Sequence, residues 1–234
     1  MSNEKDAFVF GTFKEELKNR FLCSVIIGDQ EEICYIPSSC RISNFINPTD
    51  KPVILKPTIS KSTRTRYSLY AVKLHGRYIL LNLSQPNKLI GEQLNRRYFS
   101  FLGKRKNIKT EIVIEGYKAD LFVEDTNTII EIKSIISLDR IALFPSVYSE
   151  RAINQLYELY SLLQKDYNVL YLYISLNPTV KGIYIDNNMT EYKKIFNECL
   201  QKGMSSDAFA IALNNQLQPE IKKRIPLYFD SSPL

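Results

Sequence analysis

An α/β fold with an N-terminal all-β domain is what this sequence predicts, on three observations. Residues 7–81 hold short stretches rich in β-branched and aromatic residues, with almost no helical period. Near Leu83 the pattern changes to helices alternating with strands. The length of 234 residues, 44% of them hydrophobic and 24% charged, gives one large or two small domains an ample core.

The elements follow in order. Strands are expected at 8–13, 21–27, 33–36, 53–56, 68–74 and 78–81, punctuated by Gly28-Asp29, Pro48 and His75-Gly76. So many short strands suggest a small barrel or sandwich. Ser84 to Asn87 offer helix-start chemistry with an early proline, and Leu89, Ile90, Leu94, Tyr98 and Phe101 recur at roughly helical spacing. After a basic connector, 103–109, three strands are expected at 111–115, 119–123 and 128–136, turned at Gly116-Tyr117 and at 124–127. Ser149 opens a second helix to 165, striped by Ile153, Leu156, Tyr157, Tyr160 and Leu163. Strands at 169–174 and 182–185, a helix at 190–203 and a strand at 208–213 complete a mixed-sheet sandwich. The expected domains are 1–83 and 84–234, each separable from the other.

Composition narrows the chemistry. No apolar run approaches the ~18 residues of a membrane helix, and the polar start lacks signal-peptide character. The expectation is a soluble cytoplasmic protein with no membrane partner. Cys23, Cys34, Cys40 and Cys199 form no close zinc-type pair. The single histidine, His75, excludes a multi-histidine site and has no nucleophile elbow beside it. Catalysis would rest on carboxylates, lysine and a bound metal. Net charge is +6, yet residues 51–109 carry 14 basic residues against one acid, Glu92. Such polarity points to a polyanionic partner; a solvated basic face is the plainer alternative.

The informative stretch is Lys118-Ala-Asp120 followed by Ile129-Ile-Glu-Ile-Lys133. On a strand, residues two apart share a face, so Glu131 and Lys133 point one way and Ile130 and Ile132 the other. A short turn lets Asp120 pair across from Glu131. Two clustered carboxylates repel unless a cation intervenes, and a hard divalent ion, Mg2+ or Mn2+, takes such oxygen ligands. A lysine beside it can stabilise charge gathering at phosphorus. A simple strand-face ion pair is the competing account. Glu92 is either part of this site or a helix position answering Arg96. Arg151 and Gln155, four apart on the second helix, face phosphate or solvent.

With those residues in view, the chain resembles the sugar fermentation stimulation protein A (SfsA) family nearly end to end. The matching pieces are Arg20-Phe-Leu, Ile36-Pro-Ser-Ser, Thr65-Arg-Tyr, Leu81-Asn-Leu, Pro86-Asn-Lys-Leu-Ile-Gly-Glu92, Thr110-Glu-Ile, Ala119-Asp-Leu-Phe, Ile130-Glu-Ile-Lys-Ser134, Phe144-Pro and Ser149-Glu-Arg-Ala-Ile-Asn-Gln-Leu. The resemblance implies an N-terminal OB-like barrel and a PD-(D/E)XK nuclease-like domain that binds DNA. By motif, Asp120 is the "PD" acid, Glu131 and Lys133 the (D/E)XK pair, Glu92 the helical glutamate, Glu111 a supporting acid and Arg151 the helix arginine. Three places depart from the family pattern: Ser146 follows Phe144-Pro where an aspartate is usual, Asn154 and Gln155 replace a basic pair, and Ser38-Ser-Cys40 replaces Asn-Thr-Gly. Gln155 is nonetheless similar to the motif glutamine of RecB-like nucleases.

The expected function is therefore a metal-dependent nuclease with little sequence specificity. The alternative is a non-catalytic DNA-binding or regulatory protein on the same scaffold. The catalytic set is Asp120, Glu131, Lys133, Glu92 and Gln155, and the metal set is Asp120, Glu131 and the Ile132 carbonyl. Arg64, Arg66, Arg96, Arg97, Lys104, Arg105, Lys106 and Arg151 are expected to bind nucleic acid, DNA in preference to RNA, with an affinity that falls steeply with salt. Tyr67, Tyr70, Tyr98, Phe99 and Phe101 are interleaved for stacking or for the core.

Overall fold

The computed structural model describes residues 7–38, 41–58 and 64–229. Ser39, Cys40 and Lys61 lie outside them. The first six strands are β1 (Val9–Glu16), β2 (Leu22–Ile27), β3 (Gln30–Tyr35), β4 (Pro52–Pro57), β5 (Tyr67–Leu74) and β6 (Arg77–Leu80). They form one sheet in the order β3-β2-β1-β4-β5-β6. A parallel pairing of Tyr35 with Ser68 joins β3 to β5 and closes the first five strands into a barrel. Alternating side chains such as Phe13, Val25, Val53, Leu55 and Leu69 point inward and are fully buried. His75-Gly76, expected to punctuate two strands, form the turn between β5 and β6: both have positive φ (47° and 74°), the two-residue turn that matches hairpin twist.

The second part runs α1 (Gln85–Gln93), β7 (Ile108–Ile114), β8 (Tyr117–Val123), β9 (Thr128–Ile135), β10 (Ile141–Phe144), α2 (Glu150–Leu163), β11 (Asn168–Ser175), β12 (Gly182–Ile185), α3 (Thr190–Gln201), β13 (Ser205–Leu213), β14 (Pro219–Arg224) and β15 (Leu227–Tyr228). Its main sheet has the order β14-β13-β11-β9-β8-β7. The hairpins β7–β8, β8–β9 and β13–β14 are antiparallel, and β9–β11 and β11–β13 are parallel, so the sheet is mixed. A small parallel sheet, β10-β12-β15, stands apart from it.

Two differences from expectation have local causes. The first helix stops at Gln93 because Arg96 is extended (φ −77°, ψ 161°), and Tyr98 and Phe101 fall in a separate 3-10 turn, Arg97–Leu102. Strand β14 carries Glu220, Lys222, Lys223 and Arg224 in its six residues and is only half-buried along one face, so it lacks an apolar signature.

The two faces of the main sheet bury different partners. On one, Ile153, Leu156 and Leu159 of α2 and Ile195 and Phe196 of α3 pack on Tyr171, Tyr173 and Ala208. On the other, Leu121, Ile130, Leu170, Leu172 and Phe209 share one continuous core with α1, with Phe99 and with Leu55, Val72 and Leu80 of the first sheet. Hydrogen bonds cross the same boundary, from Leu80 N–H to the Leu176 carbonyl (3.2 Å) and from the Tyr70 hydroxyl to the Leu217 carbonyl (2.9 Å). The cysteines described, Cys23, Cys34 and Cys199, are buried core thiols. Burial pushes Cys34 and Cys199 up to about 12, which leaves them protonated and inert. Among the described residues no helix is long and apolar enough to cross a membrane.

Candidate functional site

The site grows from the meander. Glu115 and Gly116 turn β7 into β8 with positive φ at both positions (50° and 88°), which fixes the register of the hairpin. The β8–β9 ladder holds from Val123↔Thr128 to Leu121↔Ile130 and goes no further. One step on, Asp120 and Glu131 would face each other as like charges. Instead the Asp120 carboxylate takes the place of a strand: its Oδ2 accepts the Ile132 N–H at 2.8 Å, and its Oδ1 accepts Asn87 Nδ2 of α1 at 2.7 Å.

Glu131 is 3% exposed. Its two oxygens divide between the Tyr117 hydroxyl, which donates at 2.5 Å, and Lys133 Nζ at 2.7 Å. Lys133 also donates to Gln155 Oε1 of α2 at 2.6 Å and lies 5.6 Å from the centre of the Tyr171 ring. Helix α2 is set by Ser149, whose hydroxyl accepts the Ala152 N–H and caps its N-terminus. Four of the sequence-predicted residues, Asp120, Glu131, Lys133 and Gln155, thus meet at one spot with the Ile132 backbone.

Burial, then repulsion from Glu131, push the Asp120 carboxyl from 3.8 up to about 6; the Ile132 N–H, Lys133 and Asn87 pull the other way. Because the folded-state value lies above the unfolded one, the folded protein holds the extra proton between about pH 4 and 6. Stability in a chelator should fall as pH rises through that window and level off above it. Any ion bound at Asp120 must displace the same proton. A divalent ion held there would therefore lose affinity about tenfold per pH unit below about 6, which calorimetric titration at pH 5, 6 and 7 measures.

Other predicted residues lie elsewhere. Glu92 does not reach the site. It is 60% exposed, answers Lys88 rather than Arg96 at 3.9 Å, and α1 sends Asn87 to Asp120 in its place, just over one turn earlier. Sequence reasoning missed Asn87, although its place beside Pro86 in the quoted motif was a usable signal. Tyr117 was taken only as a turn residue. Glu111 lines the same cleft but pairs with Lys118 at 2.8 Å, which lowers its carboxyl below the ordinary range.

The cleft, about 1280 Å³, opens between the barrel and the α/β part. Of the eight residues expected to bind nucleic acid, only Arg151 lines it. Arg105 donates to the Leu94 and Gly103 carbonyls and ties its own loop; Lys104 pairs with Asp125 at 2.9 Å and Arg66 with Glu32 at 3.3 Å. Lys106 is held by its backbone N–H on Asp125, and Arg64, Arg96 and Arg97 are exposed away from the cleft. Among the aromatics proposed for stacking, Tyr70 and Phe99 are core and Tyr98 and Phe101 are exposed outside the cleft. Ser146 and Asn154, two of the departures noted above, both line it.

Comparison with known proteins adds the following. A family model described as the sugar fermentation stimulation protein RE domain matches residues 84–217, and one described as the SfsA N-terminal OB domain matches residues 17–81. A sugar fermentation stimulation protein homolog of Desulfitobacterium hafniense is 28% identical over 159 residues, covering 67% of this chain and 68% of that protein. Its counterpart in Natranaerobius thermophilus is 24% identical over 222 residues, 88% of each. The solved structure of Pyrococcus furiosus SfsA in complex with Ca2+ superposes with a TM-score of 0.82 over 94% of this chain and 96% of that one, at 18% identity. The shared fold is an OB barrel followed by a mixed-sheet α/β domain.

Proposed function

The chain belongs to the sugar fermentation stimulation protein (SfsA) family, and from that premise we propose that it is a divalent-metal-dependent nuclease of the PD-(D/E)XK kind, acting on DNA with little sequence preference. The observation that carries this reading is the convergence of Asp120, Glu131, Lys133 and Gln155 where the β8–β9 ladder ends. Binding alone gives no reason to bury a carboxylate pair facing a cleft, whereas phosphodiester hydrolysis does.

The residues fit a hard divalent ion. Among the described residues no group of three or more His, Cys, Asp or Glu is placed to hold a metal. Mg2+ and Mn2+ need only one or two carboxylates and keep several waters. Asp120 and Glu131 would supply the carboxylates; burial first, then repulsion from Glu131, raises the Asp120 carboxyl, and a cation would offset both. Ile132 adds a third oxygen. In an antiparallel ladder a residue's N–H and C=O face the same neighbour, and the Ile132 N–H faces Asp120. Such an ion, when bound, polarises the phosphodiester and makes water a better nucleophile. Calcium is named with the Pyrococcus furiosus relative, and the donor set here is of the same oxygen kind.

The protein's own groups do the rest. Asn87 and the Ile132 N–H fix the Asp120 plane, and the Tyr117 hydroxyl fixes that of Glu131. Lys133, held by Glu131 and Gln155, keeps a positive charge at the edge of the cleft where negative charge gathers in the transition state. Arg151, at the start of α2, lines the cleft wall and would orient phosphate.

A cleavage assay on single- and double-stranded DNA and RNA, with Mg2+ or Mn2+, tests the reading; no cutting of any substrate refutes it and leaves the DNA-binding alternative. Lys133→Ala should lower kcat by on the order of 10²-fold with metal affinity preserved. Equal loss of metal binding would make Lys133 a structural partner of Glu131 only.

A further inference from the structure

We propose that the barrel wall of the cleft is a stacking platform for unpaired bases, and that the substrate is single-stranded nucleic acid. It would lie with its bases toward the barrel and its phosphates toward Asp120 and Glu131. The proposal rests on the nuclease reading above and names its substrate class.

The first observation is a pair of exposed rings. Phe21 and Tyr35 are 36% and 40% exposed, line the same cleft as the two carboxylates, and lie nearly parallel, with centroids 6.5 Å apart at 21°. The Arg20 guanidinium sits 4.8 Å from the Phe21 centroid, a cation–π contact of the kind that supports stacked bases. Phe45, half-buried, lies on the same wall.

The second observation is rigidity. The Phe21 carbonyl accepts the Ile36 N–H at 2.7 Å, the Phe21 N–H donates to Asn19 Oδ1 at 3.1 Å, and Leu22 is in register with Tyr35. The rings are presented by paired backbone, so little conformational freedom is lost when a base lands on them.

The third observation is charge. The ionisable groups lining the cleft are the acids Glu111, Asp120, Glu131, Glu150 and Glu158 against Lys118, Lys133 and Arg151. Two of those three bases are already paired, Lys118 with Glu111 and Lys133 with Glu131. With one divalent ion bound at Asp120 and Glu131 these charges come out near neutral, so the cleft exerts little long-range pull on a phosphate backbone beyond the ion and Arg151 themselves. Much of the grip then falls to ring faces, which a duplex hides in its own stack and a single strand offers freely. The volume of about 1280 Å³ exceeds the roughly 300–1,000 Å³ of a small-molecule site and suits a run of nucleotides.

The test uses the full chain and an oligonucleotide carrying 2-aminopurine, free or in a duplex of the same sequence. The expected result is quenching of the fluorophore in the single strand and at least tenfold tighter binding than to the duplex. Phe21→Leu/Tyr35→Leu keeps apolar bulk but removes the π-faces. It should weaken single-strand binding roughly 10- to 100-fold, with Tm and the Mn2+ titration unchanged. Equal affinity for duplex, wild-type affinity in the leucine variant, or no oligonucleotide binding at all overturns the proposal. If strands bind and quench as expected but nothing is cut, the nuclease reading fails and the platform stands. If cutting is unaltered by the leucine pair, the platform fails and the nuclease reading stands.

Discussion

Asp120→Asn should leave a folded protein that binds neither Mg2+ nor Mn2+ and cuts no DNA, and that melts at a higher temperature than wild type at neutral pH in a chelator. Asparagine keeps the shape of the side chain and an acceptor for the Ile132 N–H; its NH2 then faces Asn87, whose amide turns over to accept through Oδ1. It removes a charge that burial and Glu131 both disfavour, the cause of the rise from 3.8 to about 6. At roughly 1.4 kcal/mol for each pH unit between those values, neutralisation adds up to about 3 kcal/mol above pH 6. Loss of metal with gain of stability is the signature of a site in which repulsion is held ready for a cation. DNA binding should stay the same or tighten, since a negative charge near phosphate is gone. A strand-face ion pair with no metal role predicts no change in metal affinity. Calorimetric titration beside thermal melts separates the two accounts: equal, weak metal binding by both proteins, with no cutting by wild type, ends the catalytic one.

Removing the barrel should be as severe. Sequence pattern places a boundary near Leu83, and by itself that boundary suggests 83–234 as a self-sufficient fragment. The core does not stop there. Leu55, Val72 and Leu80 of the first sheet belong to the same buried cluster as Leu121, Leu170, Leu172 and Phe209 of the main sheet. Full burial of one such side chain contributes about 1.5–3 kcal/mol, and whole domains are stable by only about 5–15 kcal/mol. Exposing about four or five of them costs a sum comparable to that whole margin. Fragment 83–234 is therefore expected to aggregate or to stay molten, shown by lost near-UV circular dichroism and dye binding. A cooperative melt of the fragment near the full-chain Tm would show that α1 and Phe99 suffice to cover that face. The Tyr70–Leu217 and Leu80–Leu176 hydrogen bonds, broken in the fragment, point the same way.

Much of the architecture was written locally. The six strands of the first sheet and the helix–meander–helix–strand order follow from β-branched runs, turn residues and a period of 3.6, because each is set by neighbours a few residues away. The facing of Glu131 and Lys133 follows from the two-residue period of a strand alone. What sequence could not decide was which distant side chains arrive at the same point. Glu92 looked functional as the one acid in a basic stretch, yet the rotation of α1 on the sheet turns Asn87 toward Asp120 and leaves Glu92 in solvent. The basic run looked like a single binding surface, but its members lie on different elements, and several are engaged by Asp125, Glu32 and loop carbonyls. Phe21 stood in the quoted Arg20-Phe-Leu piece and Tyr35 at the end of an expected strand, but nothing in sequence linked the two until the barrel closed and set both in one cleft with the carboxylates. Periodicity and turn chemistry act over a few residues, so the sequence by itself determined the elements and the two-apart pairing on β9. Packing of barrel against sheet is a sum of weak apolar contacts over long chain separations, so only the tertiary structure decided which side chains share the cleft and which charges are left free to act.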